Sequence, residues 1–270
     1  MLGASAHSLA QAQKDLAQGL KSAPVQGREL ADELFALVDA LDSEPALARA
    51  LTNPNRPAAP KEQLVRQAMA GHQADAVGFA ARIATLRWSK EADLADALEV
   101  LAFDAFLTQV QQDQQLRQVE AELFEVDAQL RNHRELRTAL GERTASQAAR
   151  LQLVQQVFGP VLAAPTLYLL ERVTGHPRGR GIRYALKFLG DLVAQKRQRL
   201  VAVVTAAVPL SSQQAEHLTK TLATEYGQDI QLNLTVDPSV VGGLRIRVGD
   251  DVVDGSLFTR LATLSRDLAA

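Results

Sequence analysis

The chain has 270 residues, enough to bury a substantial core, and its length suggests two domains. An apolar share of 47% against 22% charged excludes a disordered chain, and a formal charge of −2 leaves no overall basic surface for nucleic acid or anionic lipid. Cysteine is absent, which removes disulfides, thiolate nucleophiles and cysteine-ligated metal and fits a reducing compartment.

The first residues, "MLGASAHSLAQAQKDLAQGL", lack the basic start and unbroken apolar run of a signal peptide. No window approaches the ~18 uninterrupted apolar residues of a membrane span, so no direct membrane insertion is expected. With aromatics at only 4%, alanine and leucine carry the apolar share, a bias toward closely packed helices. Up to about Arg199, apolar residues recur every three or four positions. Leu30, Leu34, Leu37, Val38 and Leu41 line one helical face, with Asp32, Asp39 and Asp42 away from it. "TNPNRPAAP" (Thr52 to Pro60) reads as a break, because prolines remove donors and clash with the preceding turn. Helical patterns follow at 61–70, 73–87 and 91–112. A second break, "TGHPRGRG" (Thr174 to Gly181), precedes a last long helix whose Lys196, Arg197 and Arg199 suit a negative helix C-terminus.

Two stretches of this region match without gaps. Glu33, Leu34, Phe35, Leu41, Leu47, Ala50 and Leu51 recur as Glu122, Leu123, Phe124, Leu130, Leu136, Ala139 and Leu140. The spacing continues through a loop to Leu64 and Leu153. With one residue added, Val77, Phe79, Arg82 and Ile83 meet Leu167, Leu169, Arg172 and Val173. Shared spacing across helix, loop and next helix predicts a duplicated bundle, residues 1–105 and 106–199, offering two similar grooves.

After Leu200 the period changes. Val201 to Val208 reads as a buried strand, and "SSQQAEHLTKTLATEYG" as a helix opened by a serine cap and closed by glycine. "IQLNLTVD" alternates, with Ile230, Leu232, Leu234 and Val236 on one face. "LRIRV" alternates again, with Leu244, Ile246 and Val248 inward and Arg245 and Arg247 outward. Gly249 and Asp250 suit a tight turn into "VV", and Asp254 and Ser256 suit the cap of a final helix carrying Leu257, Leu261, Leu264 and Leu268. Residues 200–270 thus form a third part, a mixed sheet with two helices. The whole is mainly α with a small α+β domain.

Chemistry is hard to find. Gly242-Gly243 leads into a strand rather than a helix, so no helix dipole faces a pyrophosphate there. "GHPRGRGIRYALK" (Gly175 to Lys187) fails as a phosphate loop, because neither Lys nor Ser/Thr follows at the required place. It reads as a basic interhelical loop suited to an acidic partner. His7, His72, His133, His176 and His217 show no ligand spacing, and no G-x-S-x-G elbow is present. Helix acids alternating with bases read as solvated faces, Asp250 and Asp251 as exposed turn residues, and Trp88 as a bundle residue.

The C-terminal stretch resembles the δ subunit of bacterial F-type ATP synthases, counterpart of the mitochondrial oligomycin-sensitivity-conferring protein. Ile230, Leu232, Val236, Asp237, Val240, Gly242, Gly243, Leu244, Ile246, Arg247 and Gly249 carry the pattern as a structural signature. From about Val119 the resemblance covers the family's usual length, and the extra first bundle matches its long form. It implies a non-catalytic stator subunit with no cofactor and no metal. Such a subunit sits peripherally at the cytoplasmic face of the cell membrane, joining the N-terminal helices of α subunits to the C-terminal region of stalk subunit b. Two related bundles would then take two α helices. The competing reading is a helical adaptor that binds amphipathic partner helices.

Overall fold

Residues 1, 3–22, 26–141, 144–197, 200–206, 210–226, 230–236, 244–248 and 251–254 are described by the computed structural model. They divide into two compact units, Met1–Lys196 and Arg197–Ala270. The first is built from helices in chain order: α1 (Ala4–Ser22), α2 (Gly27–Ser43), α3 (Pro45–Thr52), α4 (Ala58–Ala68), α5 (Ala74–Thr85) and α6 (Glu91–Gln112). The same succession resumes with α7 (Leu116–Asn132), α8 (Arg134–Gly141), α9 (Gln147–Phe158), α10 (Ala164–Gly175) and α11 (Ile182–Arg197). Helices α2 and α7 have 17 residues each, α3 and α8 have 8, and α5 and α10 have 12, so the sequence repeat is kept helix by helix.

The expected break at Thr52–Pro60 is shorter than its prolines suggest. Helix α4 starts at Ala58 with Pro60 in its first turn, where a missing N–H has no intrahelical partner to lose.

Helix α6 is buried over most of its surface between Asp93 and Val110, with Asp96 and Asp104 on its more open side. Leu94, Leu98, Leu101, Phe103, Phe106 and Leu107 are each at most 4% exposed. The expected division between 105 and 106 falls inside it, at buried Ala105 and Phe106. One apolar core runs from Ala12 to Val193 and takes in both repeats. The matched pairs Leu34 with Leu123 and Leu41 with Leu130 lie in that core, and Leu64 and Leu153 pack against it. They hold helices inward rather than lining open grooves. Phe103 meets Phe35 of α2 edge-on at 5.0 Å and Phe188 of α11 edge-on at 5.9 Å, so one α6 ring joins the two repeats.

Close approach of α2 to α6 depends on Gly27. A Cβ there would collide with the carbonyl oxygen of Ala105. Next to it the Arg28 amide donates to Gln109 Oε1 at 2.9 Å.

The second unit contains β1 (Leu200–Ala206), α12 (Ser212–Tyr226), β2 (Ile230–Val236), β3 (Leu244–Val248) and β4 (Asp251–Asp254). Ser211 and Gln214 cap α12 reciprocally: the Gln214 amide donates to Ser211 Oγ at 3.2 Å and the Ser211 amide to Gln214 Oε1 at 2.9 Å. The mixed sheet has strand order β2-β1-β3-β4, with β1 parallel to β2 and antiparallel to β3. Val204, fully buried, pairs with Leu234 on one side and Ile246 on the other and packs with Leu222 of α12. Val248 faces Asp251 in the antiparallel β3–β4 ladder, the register a short hairpin imposes. The expected final helix, with Leu257, Leu261, Leu264 and Leu268, lies outside the described residues, as do Ser256, Gly249 and Asp250.

Gly27→Ala tests the α2–α6 approach. In an open helix the change would stabilise by about 0.5–1 kcal/mol. Here urea unfolding of the full chain is expected to show a loss of about 1–3 kcal/mol through overpacking against Ala105.

Candidate interaction surface

Asp32, Asp39 and Asp42 share one side of α2, because offsets of seven and ten residues return to the same face. Asp32 and Asp42 are exposed, as a solvated face requires, and Asp39 is half-buried, but all three bond to side chains of the second repeat. Tyr168 Oη donates to Asp32 Oδ1 at 2.6 Å. Arg172 Nη1 and Nη2 donate to the two Asp39 oxygens at 2.9 and 2.7 Å, and His176 Nδ1 lies 2.9 Å from Asp39 Oδ1. The Arg172 guanidinium also stacks 4.1 Å above the Phe35 ring, while Tyr168 packs 4.3 Å from Phe106. Burial opposes ionisation of Asp39, but the hydrogen bonds and charges of His176 and Arg172 outweigh it and hold its pKa at about 2. Burial, then the Asp32 hydrogen bond and charge, pushes the Tyr168 phenol up, which keeps it a donor.

The basic loop after α10 has its acidic partners within the chain. Pro177 to Arg180 form a turn closed by the Arg180 amide on the Pro177 carbonyl at 2.8 Å, with φ of +48° at Arg178 and +75° at Gly179. Two left-handed residues in succession make the I′ type of turn, which glycine tolerates and arginine seldom adopts. Arg178 is held there by its side chain, only 9% exposed, which pairs with Asp42 at 2.7 Å, Asp96 at 3.0 Å and Glu99 at 2.9 Å. Burial works against the Arg178 charge, but the Asp42 hydrogen bond and the three carboxylates raise its pKa on balance. Arg180 pairs with the same Glu99, whose side chain is 3% exposed, and Lys196 reaches Asp104 at 2.7 Å. Arg150 of α9 donates to the carbonyls of Thr174 and Gly175 at 3.0 and 3.1 Å, satisfying the last turn of α10.

The sequence missed these contacts. Arg172 was visible only as the repeat match of Arg82, and Glu99 had no motif around it. The available signal was two complementary stripes, Asp32, Asp39 and Asp42 against Tyr168, Arg172 and His176 at intervals of four. Their pairing spans more than 130 positions, beyond any local pattern.

In the second unit, Ile230, Leu232 and Val236 lie on β2 and pair with Leu200, Ala202 and Ala206 of β1. Leu244, Ile246 and Arg247 lie on β3 and pair with Ala206, Val204 and Val203. The signature residues on strands therefore flank β1 from both sides. Arg245 and Arg247 are exposed and Leu244 and Ile246 half-buried, as alternation requires. Asp237, Val240, Gly242, Gly243 and Gly249 lie outside the described residues. Among the described residues no cluster of three or more His, Asp or Glu could hold a metal ion, and no helix is long and apolar enough to cross a membrane.

The family model "ATP synthase delta (OSCP) subunit" matches residues 104–268. The chain belongs to that family. The match starts inside α6, so it takes in the second repeat and the sheet unit and leaves most of the first repeat outside. Relatives named ATP synthase subunit delta extend over the first repeat as well. The one from Streptomyces lividans is 41% identical over 100% of this chain and 99% of its own length, and that from Streptomyces avermitilis is 42% identical over 99% and 98%. The one from Beutenbergia cavernae is 41% identical over 93% of each chain. As a delta-family subunit the chain is a non-catalytic part of the ATP synthase peripheral stalk, which decides against an adaptor unrelated to that complex.

The Asp39 carboxyl gives this delta-family seam a pH signature. Its folded pKa of about 2 lies below the usual 3.8, so its contribution is complete above about pH 4 and is lost as pH falls toward 2. The stability difference between the native chain and Asp39→Asn is expected to shrink as pH falls from about 4 toward 2. Urea unfolding across the series checks it.

Proposed function

We propose that this chain clamps the catalytic head to the stalk at the cytoplasmic face of the cell membrane during proton-driven ATP synthesis. Its helical unit takes an amphipathic N-terminal helix of an α subunit, and its sheet unit holds the C-terminal region of subunit b. The signature Ile230, Leu232, Val236, Asp237, Val240, Gly242, Gly243, Leu244, Ile246, Arg247 and Gly249 shapes the sheet unit and binds no cofactor. The helical unit is a duplicated bundle, 1–105 and 106–199, in which α6 serves both copies.

The observation that carries the helix-binding reading is α2 itself. It is an amphipathic helix seated across α6 and α10, with Phe35 against Phe103, Asp39 on Arg172 and Asp32 on Tyr168. Aligning the two repeats by the starts of α2 and α7, and of α5 and α10, places Lys14 at Phe103, Ala17 at Phe106, Gly78 at Tyr168 and Arg82 at Arg172. Lys14, Ala17 and Arg82 are exposed, and Arg82 has no acidic partner among the described residues. Small Ala17 and Gly78 leave room where the second repeat is filled by two rings. The first repeat thus offers the open counterpart of a face that the second repeat already fills from within. This favours one α helix on the first repeat over one on each, with a guest carboxylate on Arg82 as Asp39 sits on Arg172.

Titrating a peptide of the α N-terminus into the full chain tests this. Arg82→Glu is expected to weaken binding at least about tenfold without changing the melting temperature, since the side chain is exposed. Unchanged affinity would remove the first repeat as the guest site.

A further inference from the structure

The starts of α6 and α11 are matched in the repeat but opposite in charge. Aligned by their first residues, Glu91 and Asp93 of α6 stand where α11 has Ile182 and Tyr184. Asp93 is buried and closes its own helix start. It accepts from Ser5 Oγ at 2.6 Å and from the Lys90 amide at 3.2 Å, and Ser5 Oγ accepts from the Ser89 amide at 2.8 Å. The first turn of α11 carries no acid, and the amides of Ile182, Arg183 and Tyr184 meet no acceptor among the described residues. Ile182 lines a cavity of about 80 Å³, walled also by the ends of α8 and α10, Arg150 and the Pro177–Arg180 turn. Thr174 lines it too, is 2% exposed, and its hydroxyl has no hydrogen-bond partner. Its match in the first repeat is Ala84, so the second repeat holds a polar group where a methyl would leave nothing unpaired. The wall carries two guanidiniums and no carboxylate. Arg150 donates to the carbonyls of Ala145, Thr174 and Gly175 and meets no acid among the described residues. Arg180 gives Nη2 to Glu99 and keeps Nε and Nη1, while Arg183 is drawn away to Asp127 at 3.2 Å.

We propose that this cavity is a binding site for inorganic phosphate, which takes at α11 the place that the Asp93 carboxylate fills at α6. Helix-start amides, a buried hydroxyl and a guanidinium edge form a donor set that suits a phosphate dianion. Four oxygens can use donors arriving from α10, α11 and the turn together, which the two oxygens of a carboxylate cannot. The walls leave room for one small tetrahedral anion and none for an ester tail. The same turn carries Arg178 and Arg180 to Asp42 and Glu99 of the first repeat. Phosphate bound here therefore braces the loop that joins the repeats. The proposal does not depend on where an α helix or subunit b binds.

Calorimetric titration of inorganic phosphate into the full chain, at near-neutral pH and low salt, tests this. Saturable uptake of one phosphate per chain is expected, with a Kd of about 1 mM or tighter. Acetate and glycerol 3-phosphate are expected to bind at least about tenfold more weakly. Thr174→Val should weaken phosphate binding at least about tenfold and leave the melting temperature unchanged or raised, because it removes an unpartnered hydroxyl. Tyr184→Asp, at an exposed position, sets a carboxylate at the helix start as Asp93 does, and should abolish uptake in a folded chain. It carries the test should Thr174→Val fail to fold. No saturable heat up to about 20 mM phosphate would overturn the proposal. So would unchanged uptake in Tyr184→Asp, or acetate or glycerol 3-phosphate binding as tightly as phosphate.

Discussion

Arg172 can meet Asp39 only while α10 lies along α2, and the rest of the helical unit follows from that contact. Two charges taken partly out of water repay their desolvation only in good geometry. Here the planar guanidinium gives two parallel hydrogen bonds, and its flat face rests on Phe35, a combination lysine could not supply. Phe35 is in turn held edge-on by Phe103, and Phe103 by Phe188. The carboxylates around Arg178 repeat the arrangement at the other end of α2, strongly enough to keep an arginine in a left-handed turn. Surface pairs such as Lys187 with Asp191 and Lys220 with Glu216 are each well exposed at both partners and contribute little by comparison.

Duplication has thus produced asymmetry rather than two equal bundles. The α6–α10 face of the second repeat is filled by α2, and α6 packs against both repeats. The first repeat keeps the counterpart face open, and the second keeps its own α7 ring uncovered. A stalk subunit gains from this. A continuous core and several multidentate ion pairs join the two repeats, with no flexible joint between α6 and α7 among the described residues.

Much of the fold could be read from local pattern. The stripe from Leu30 to Leu41, the strand over "IQLNLTV", the alternation of "LRIRV", the serine cap at Ser211 and the helix-by-helix repeat all reflect short-range geometry, and the structure keeps them. What escaped was set by contacts distant in sequence. Asp32 and Asp42 are exposed as read, but nothing local shows that Tyr168, Arg172 and Arg178 bond to Asp32, Asp39 and Asp42. The arginines of "GHPRGRG" looked available for a partner because Glu99, buried in α6, gives no sign of itself. Matched leucines suggested grooves, yet they are core residues, and the informative repeat position was Phe35 with Phe124, where identity of residue hides opposite exposure. Pro60 misled for a different reason: its effect depends on which turn of a helix it occupies.

The central claim is that the two repeats form one cooperative body held by the α2–α10 seam. Native-state hydrogen exchange of the full chain measures this directly. The slowest amides of α2, α6 and α10 are predicted to share one opening free energy and one dependence on denaturant. Opening of α7 to α11 at a distinctly lower free energy, with its own denaturant slope while α1 to α5 stay closed, would contradict it.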